Sequence, residues 1–317
     1  MKMLIPLALA WMLLASCVER TTVTLKPENL VPESSITIEN NNLKAVFVDN
    51  DAMGARHRAG YNGIAELYHR YQDTTIFVPE YAGFNLEHIF GGDSLAQLFE
   101  PRSHPMKLFR KGENEMVLYQ ETTPLSGVES VTTFQVNGPD YIDIVFECII
   151  RNDQFFKHGY AGLFWASYIQ KPKDKKIYFP GTAEGQEEIS WVAAYSDTHG
   201  QNSTHRSVSD KNNFFFAENF NAKLASHFST YRYTSPFYYG RFGNMALAFL
   251  FDSEDVIRFS QSPTGGGPDN PAWDFQYLIP SPKVGKKYSF RARMVYKPFV
   301  SELDIEQEYE RWKDSVE

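Results

Sequence analysis

Residues 141–150 alternate in character: Ile142, Ile144, Phe146, Cys148 and Ile150 are apolar, with Asp143 and Glu147 set between them. Successive side chains of a strand point to opposite faces, so this stretch reads as a strand with one face buried. The pattern is repeated along the chain. Residues 35–39, 43–48, 75–78, 115–121, 129–136, 163–169, 188–195, 229–233, 245–252, 256–260, 275–278 and 287–296 are short segments rich in β-branched and aromatic residues. Clusters of Gly, Pro, Asn and Asp separate them, and Asn137-Gly138-Pro139-Asp140 has the chemistry of a hairpin turn. Helical signals are few. Residues 93–99 could form one or two turns. Residues 301–316 are the better case: Ser301 can cap, Asp304 follows three residues later, and Leu303, Ile305, Tyr309, Trp312 and Val316 lie roughly on one face. No repeat period is visible, which leaves a propeller or β-helix unsupported. The expectation is an all-β fold, a large antiparallel β-sandwich with a C-terminal helix, formed by residues 35–317 as a single domain.

The N-terminus carries Lys2, then an apolar run from Met3 to Leu14, too short to span a bilayer, which takes about 20 residues. Leu14-Ala15-Ser16-Cys17 resembles the lipobox of bacterial lipoprotein precursors. The resemblance implies a signal peptide over residues 1–16, a lipidated Cys17 and a Thr- and Pro-containing tether over residues 17–34. The protein is then expected in the cell envelope, on its periplasmic or cell-surface face, with a membrane as partner through the lipid. Of the two cysteines, only Cys148 would remain, on the apolar face of its strand, so the fold needs a real core without disulfides. Aromatic residues make up 15% of the chain, which supplies such a core. The net charge of −8 provides no basic stripe for phosphates, so no nucleic-acid partner is expected.

Residues 43–48 precede Met53-Gly54-Ala55-Arg56 and then Gly63-Ile64-Ala65-Glu66-Leu67. Near the other end, Pro282-Lys283-Val284-Gly285-Lys286-Lys287-Tyr288 leads into a last strand and Pro298-Phe299. Together these resemble the opening and closing elements of the galactose mutarotase-like superfamily, which includes the aldose 1-epimerases. The resemblance implies a supersandwich with a concave sugar-binding face and work on carbohydrate, polysaccharide degradation included. In order along the chain, His104 would match the family's first histidine and His158 its second. Its late carboxylate has several candidates here, Asp252, Glu254, Asp255 and Asp274. The early asparagine–arginine pairing of true epimerases is not evident, and the related scaffold also carries lyases, hydrolase accessory domains and proteins that only bind.

Four polar clusters could carry the chemistry. In residues 197–206, His199, His205 and Arg206 stand among amides and hydroxyls, the fixed donors and acceptors that sugars need, and Arg206 could clamp a uronate or sulfate; the same residues also read as a solvated loop. In residues 158–168, His158 is suited to proton transfer, and Tyr160 and Trp165 could stack on a sugar ring, although the aromatics also read as core. In residues 83–92, Glu87 and His88 stand among apolar residues, on opposite faces if the segment is a strand. In residues 265–275, a glycine-rich loop could fold over a ligand with Trp273 as platform and Asp274 as base, or could simply be a surface loop. His104, His158, His199, His205 and Asp274 are therefore the catalytic candidates, and Glu87, His88, Tyr160, Trp165, Arg206 and Trp273 the binding candidates. No metal is assigned, although calcium through loop carboxylates is open, and no metalloprotease, paired Cys-x-x-Cys or serine-elbow motif is present. The function expected is acid–base catalysis on a glycan, as epimerase, lyase or glycoside hydrolase. The alternative is a lipoprotein that binds glycan without turning it over.

Overall fold

The computed structural model describes residues 24–183 and 185–316; the leader and Cys17 lie outside them. Among the described residues sixteen strands form one continuous sheet and three form a second. The small sheet, Ser35–Glu39, Leu43–Val48 and Gly63–His69, packs its inner face on the large one: Phe47 meets Phe134 with ring centroids 5.2 Å apart, and Ile36, Ile38 and Leu67 join the same core as Ile144 and Phe146. The expected all-β sandwich is present. Its ladders are antiparallel except one: Thr204–Ser207 runs parallel to Phe228–Tyr233. Parallel neighbours need a long connection. Residues 208–227 supply it, and residues 221–224 among them line a cavity on the outer face of the sheet.

The alternating stretch forms the strand Tyr141–Ile150, with Cys148 fully buried. Burial pushes the thiol's pKa up, which favours the neutral form over the nucleophilic thiolate. Met245–Phe251 is buried on both sides. Leu247, Phe249 and Phe251 point into the main core, whereas Ala246, Ala248 and Leu250 lie under the C-terminal helix Glu302–Val316. The helix presses Ile305, Tyr309 and Trp312 on them, and the Ser301 hydroxyl accepts the Asp304 N–H at 3.1 Å as its cap. Leu303 is exposed, against expectation, because two residues of helix rotate it about 200° from Ile305. Glu308 takes the buried place instead, satisfied by Lys297 at 2.6 Å.

Other expectations need correction. Residues 93–99 are not helical; a short helix follows at Glu100–Ser103, with Pro101 in its first turn, where a missing N–H costs nothing. Residues 75–78 make only the isolated bridge Phe77–Ile169. Residues 24–34 are not a free tether. Pro32–Glu33 pairs with Met106–Arg110, the Leu25 N–H donates to Glu129 at 3.0 Å, and Leu25 and Leu30 pack on Phe109, Val117, Tyr119 and Val131.

Candidate active site

Four strands lie side by side in the order Ile257–Ser262, Ala272–Pro280, Tyr160–Ala166, Asn85–Phe90. Their inner faces are core: Phe259, Trp273, Phe275, Leu163 and Trp165. Alternation sends Ser262, Asp274, Ala166 and His88 to the other face, where they line a cavity of about 220 Å³. Its remaining walls come from Arg102 of the short helix Glu100–Ser103 and from the segments between strands: Tyr61, Leu98, Phe99, Tyr168, His199, Gly265 and residues 221–224.

Glu87 reaches this cavity through an irregularity. His88 pairs with Phe164 and Leu86 with Trp165, which leaves Glu87 as an extra residue between the two registers. A bulge of this kind re-aims a side chain and breaks strict alternation. Glu87 and His88 consequently both face the cavity, rather than opposite sides of the sheet as a regular strand requires.

The Glu87 carboxylate is held from several directions. Tyr168 donates its hydroxyl at 2.7 Å, the Asn85 amide donates at 3.4 Å, and an Arg102 terminal nitrogen stands at 3.5 Å. Burial beside that carboxylate pushes the Tyr168 phenol's pKa well up, which keeps it a proton-bearing donor. The Arg102 guanidinium packs over the Tyr61 ring at 3.7 Å and the Phe99 ring at 4.4 Å, a desolvated cation–π arrangement. His88 Nδ1 lies 2.5 Å from the Leu98 carbonyl oxygen, and a carbonyl only accepts, so Nδ1 carries the proton. Burial lowers the ring's pKa and keeps His88 neutral, with Nε2 as an acceptor.

Asp274 is fully buried at the cavity wall. Its Oδ1 accepts the Ser167 N–H at 3.0 Å, whereas Oδ2 has no hydrogen-bond partner. Burial raises its pKa well above the usual carboxylate range, and the nearby Glu87 charge raises it further. Burial thus favours the protonated form, and Oδ2 is the oxygen without a partner. His199 stands at the rim with Nδ1 2.9 Å from the Ser262 hydroxyl, and partial desolvation lowers its pKa.

The structure therefore brings together Glu87, His88, His199 and Asp274 from the candidates. The others lie elsewhere. His104 lines a separate surface hollow with Lys107 and Tyr119. His158 sits outside the cavity, bonded to Asp93 at 3.0 Å and packed on Phe215. Tyr160 is buried, its hydroxyl donating to the Phe215 carbonyl at 2.7 Å. Trp165 is no sugar platform here: it stacks on Phe275 within the main core, with centroids 5.0 Å apart and planes 3° from parallel. Trp273 is likewise core, so close to the backbone that a side chain at position 240 would meet its ring at 2.3 Å. His205 faces inward beside Phe179, and burial holds its pKa at about 4. Arg206, one residue on, points the other way and covers the Phe228 ring at 4.5 Å. The strand Thr204–Ser207 splits the polar loop between two faces, so its histidines never meet. Among the described residues no group of three or more His, Cys, Asp or Glu is placed to hold a metal ion.

Arg102, Tyr61, Tyr168 and Lys223 are cavity residues that the sequence did not single out. Arg102 lies two residues before His104, and Tyr168 ends the 158–168 cluster, whose aromatics also read as core. Nothing in the sequence marks Tyr61 or Lys223.

No family model matches the chain, and no curated protein does. Solved structures similar to it include an Escherichia coli K12 protein named as a candidate aldose 1-epimerase, at 9% identity over 84% of this chain and 99% of that one, with a TM-score of 0.49. An aldose epimerase homologue from C. elegans is similar at 11% identity over 84% and 99% of the two chains, with a TM-score of 0.47. The heparan sulfate lyase HepC from Pedobacter heparinus is similar at 12% identity over 87% of this chain but 38% of its own length, with a TM-score of 0.38.

Proposed function

We propose that the protein is an acid–base enzyme acting on carbohydrate, with the Glu87–Asp274 cavity as its site. The observation that carries this reading is the pairing of a fully buried carboxyl, whose pKa burial raises, with a second carboxylate in one aromatic-walled cavity. A buried carboxyl whose pKa is raised, set in one cavity with a second carboxylate, is the arrangement that lets one donate a proton while the other accepts one. Asp274 is the donor, through Oδ2. Glu87 is the acceptor, oriented by Tyr168 and Arg102. His88 Nε2 offers a further acceptor for a ring hydroxyl, and the Tyr61 and Phe99 rings offer apolar surface for C–H faces. The cavity is smaller than the roughly 300 Å³ at which pockets for drug-sized ligands begin, which suits a single sugar ring. Anomeric epimerisation, β-elimination from a uronate and glycosidic hydrolysis all draw on such a pair.

The test is to incubate the full chain with a panel of neutral, acidic and sulfated mono- and oligosaccharides, reading thermal shift and product together. Product formation by the native chain, lost in Asp274→Asn, supports the reading. Binding without product on every ligand reassigns the cavity to glycan capture.

The N-terminal sequence supports a second proposal, on location: export, cleavage before Cys17 and attachment to a membrane by lipid on that cysteine, which places the enzyme in the cell envelope. Mass spectrometry of the N-terminal peptide from the membrane fraction tests it. An unmodified Cys17, or a Cys17→Ala chain still firmly membrane-bound, would remove the proposal.

A further inference from the structure

The charge of the cavity runs against that of the whole chain. The protein carries a formal −8, yet the cavity is lined by Arg102 and Lys223 against Glu87 and a fully buried Asp274 whose neutral form burial favours. His88 and His199 do not alter this balance, because desolvation disfavours the charged form of both. The two cations are also incompletely used. Arg102 approaches Glu87 through one terminal nitrogen at 3.5 Å, not through a two-pronged pair, and its Nε is buried with no hydrogen-bond partner. Lys223 forms no ion pair among the described residues and is exposed at the rim, its side chain crossing Gly200 close to His199. Asp274 Oδ2, fully buried and unpartnered, completes a set of polar atoms around the cavity that nothing in the fold satisfies.

We infer that the cavity selects a sugar ring bearing one anionic substituent, a carboxylate or a sulfate ester, which docks between Arg102 and Lys223. The inference rests on the carbohydrate reading above and narrows its substrate class. A planar guanidinium whose Nε is still unpartnered has the donors to match two oxygens of either substituent. Tyr61 and Phe99, on which the guanidinium lies, fix its plane and keep water from its faces. The exposed Lys223 supplies the second charge from the solvent side. A neutral Asp274 adds no repulsion to an arriving anion, whereas an ionised one would. Glu87 takes the Tyr168 hydroxyl on Oε2 and meets Arg102 through Oε1 at one terminal nitrogen alone, which leaves the other guanidinium donors to the ligand.

The experiment is isothermal titration of the full chain with matched ligands: oligogalacturonate and oligoglucuronate, their carboxyl-reduced neutral counterparts, and sulfated and desulfated galactan oligosaccharides. The expected result is binding of an acidic ligand at least tenfold tighter than its neutral counterpart, with affinity falling as salt rises. The uronate and sulfate arms identify which substituent is recognised. Lys223→Ala should weaken the acidic ligand about tenfold, and Lys223→Glu more, with circular dichroism unchanged because the side chain is on the surface. Equal or tighter binding of a neutral counterpart, or an unchanged affinity in both Lys223 variants, overturns the inference and leaves the carbohydrate reading standing. Absence of binding to every ligand, neutral ones included, overturns both.

Discussion

Two strands of the large sheet are almost wholly buried, and they use their second face in opposite ways. In Met245–Phe251, Leu247, Phe249 and Phe251 enter the main core, while Ala246, Ala248 and Leu250 accept the C-terminal helix. In Ala272–Pro280, Trp273, Phe275, Tyr277 and Ile279 enter the same core, but Asp274 and Gln276 occupy the other face, also fully buried. The first strand satisfies burial with small apolar groups and gains packing on both sides. The second leaves Asp274 Oδ2 and Gln276 Oε1 without partners, at a cost that apolar residues would avoid. Such a cost is tolerated where a ligand approaches, and the cavity lies over Asp274.

Asp274→Asn sharpens that contrast most. If the buried proton is the one transferred, turnover falls about 10²–10⁴-fold, or roughly 3–5 kcal/mol of barrier, while the amide keeps the shape. Stability should respond in a pH-dependent way. The folded pKa is raised above 3.8, so the contribution of this group is fully present below that value and is lost as pH rises through the folded pKa. Melting curves of the native chain should show this decline and those of Asp274→Asn should not; parallel curves would refute the neutral-acid assignment.

The inner face of the same strand predicts the opposite kind of effect. Trp273→Ala should cost about 3–5 kcal/mol of stability, measured by denaturant titration. A stable variant that loses only sugar binding would restore Trp273 as a platform.

His205 offers a titrating group with the reverse sign. Its folded pKa of about 4 lies below the ordinary 6.5, so its contribution is complete above 6.5 and is lost as pH falls toward about 4. The loss amounts to about 3 kcal/mol. His205→Leu should flatten stability across that window; an unchanged slope would mean that another group governs it.

The smallest effects are expected at the helix that covers Met245–Phe251. Ser301→Ala removes the cap and should cost about 1 kcal/mol, whereas the exposed Leu303→Ser should fall within about 0.5 kcal/mol. Equal losses at both positions would show that Leu303 packs after all.

Much of the fold was legible along the chain. Strand Tyr141–Ile150, the burial of Cys148 and the capped C-terminal helix follow from periodicities of two and 3.6. Strands without that signature were missed. Thr204–Ser207 has only four residues, all polar or charged, and Ile177–Ala183 contains Pro180 and Gly181. The candidate site was half legible. Glu87, His88, His199 and Asp274 stood out as polar groups amid apolar or clustered residues, and the structure places them around one cavity. His104, His158 and His205 stood out equally, because a histidine's chemistry is the same whether it lines a cavity, a surface hollow or the core.

The sequence by itself determined the all-β class, the burial of alternate positions, the lack of a disulfide framework and the net negative charge, since each depends on local pattern or on counting. Tertiary structure alone decided which side of a doubly buried strand meets a ligand. That choice depends on the bulge at Glu87, on the path of residues 208–227 over the sheet, and on the convergence of Tyr61, Arg102 and Lys223 from distant loops. Contacts between residues far apart in the chain leave no period to read, and the protonation of Asp274 follows from those contacts.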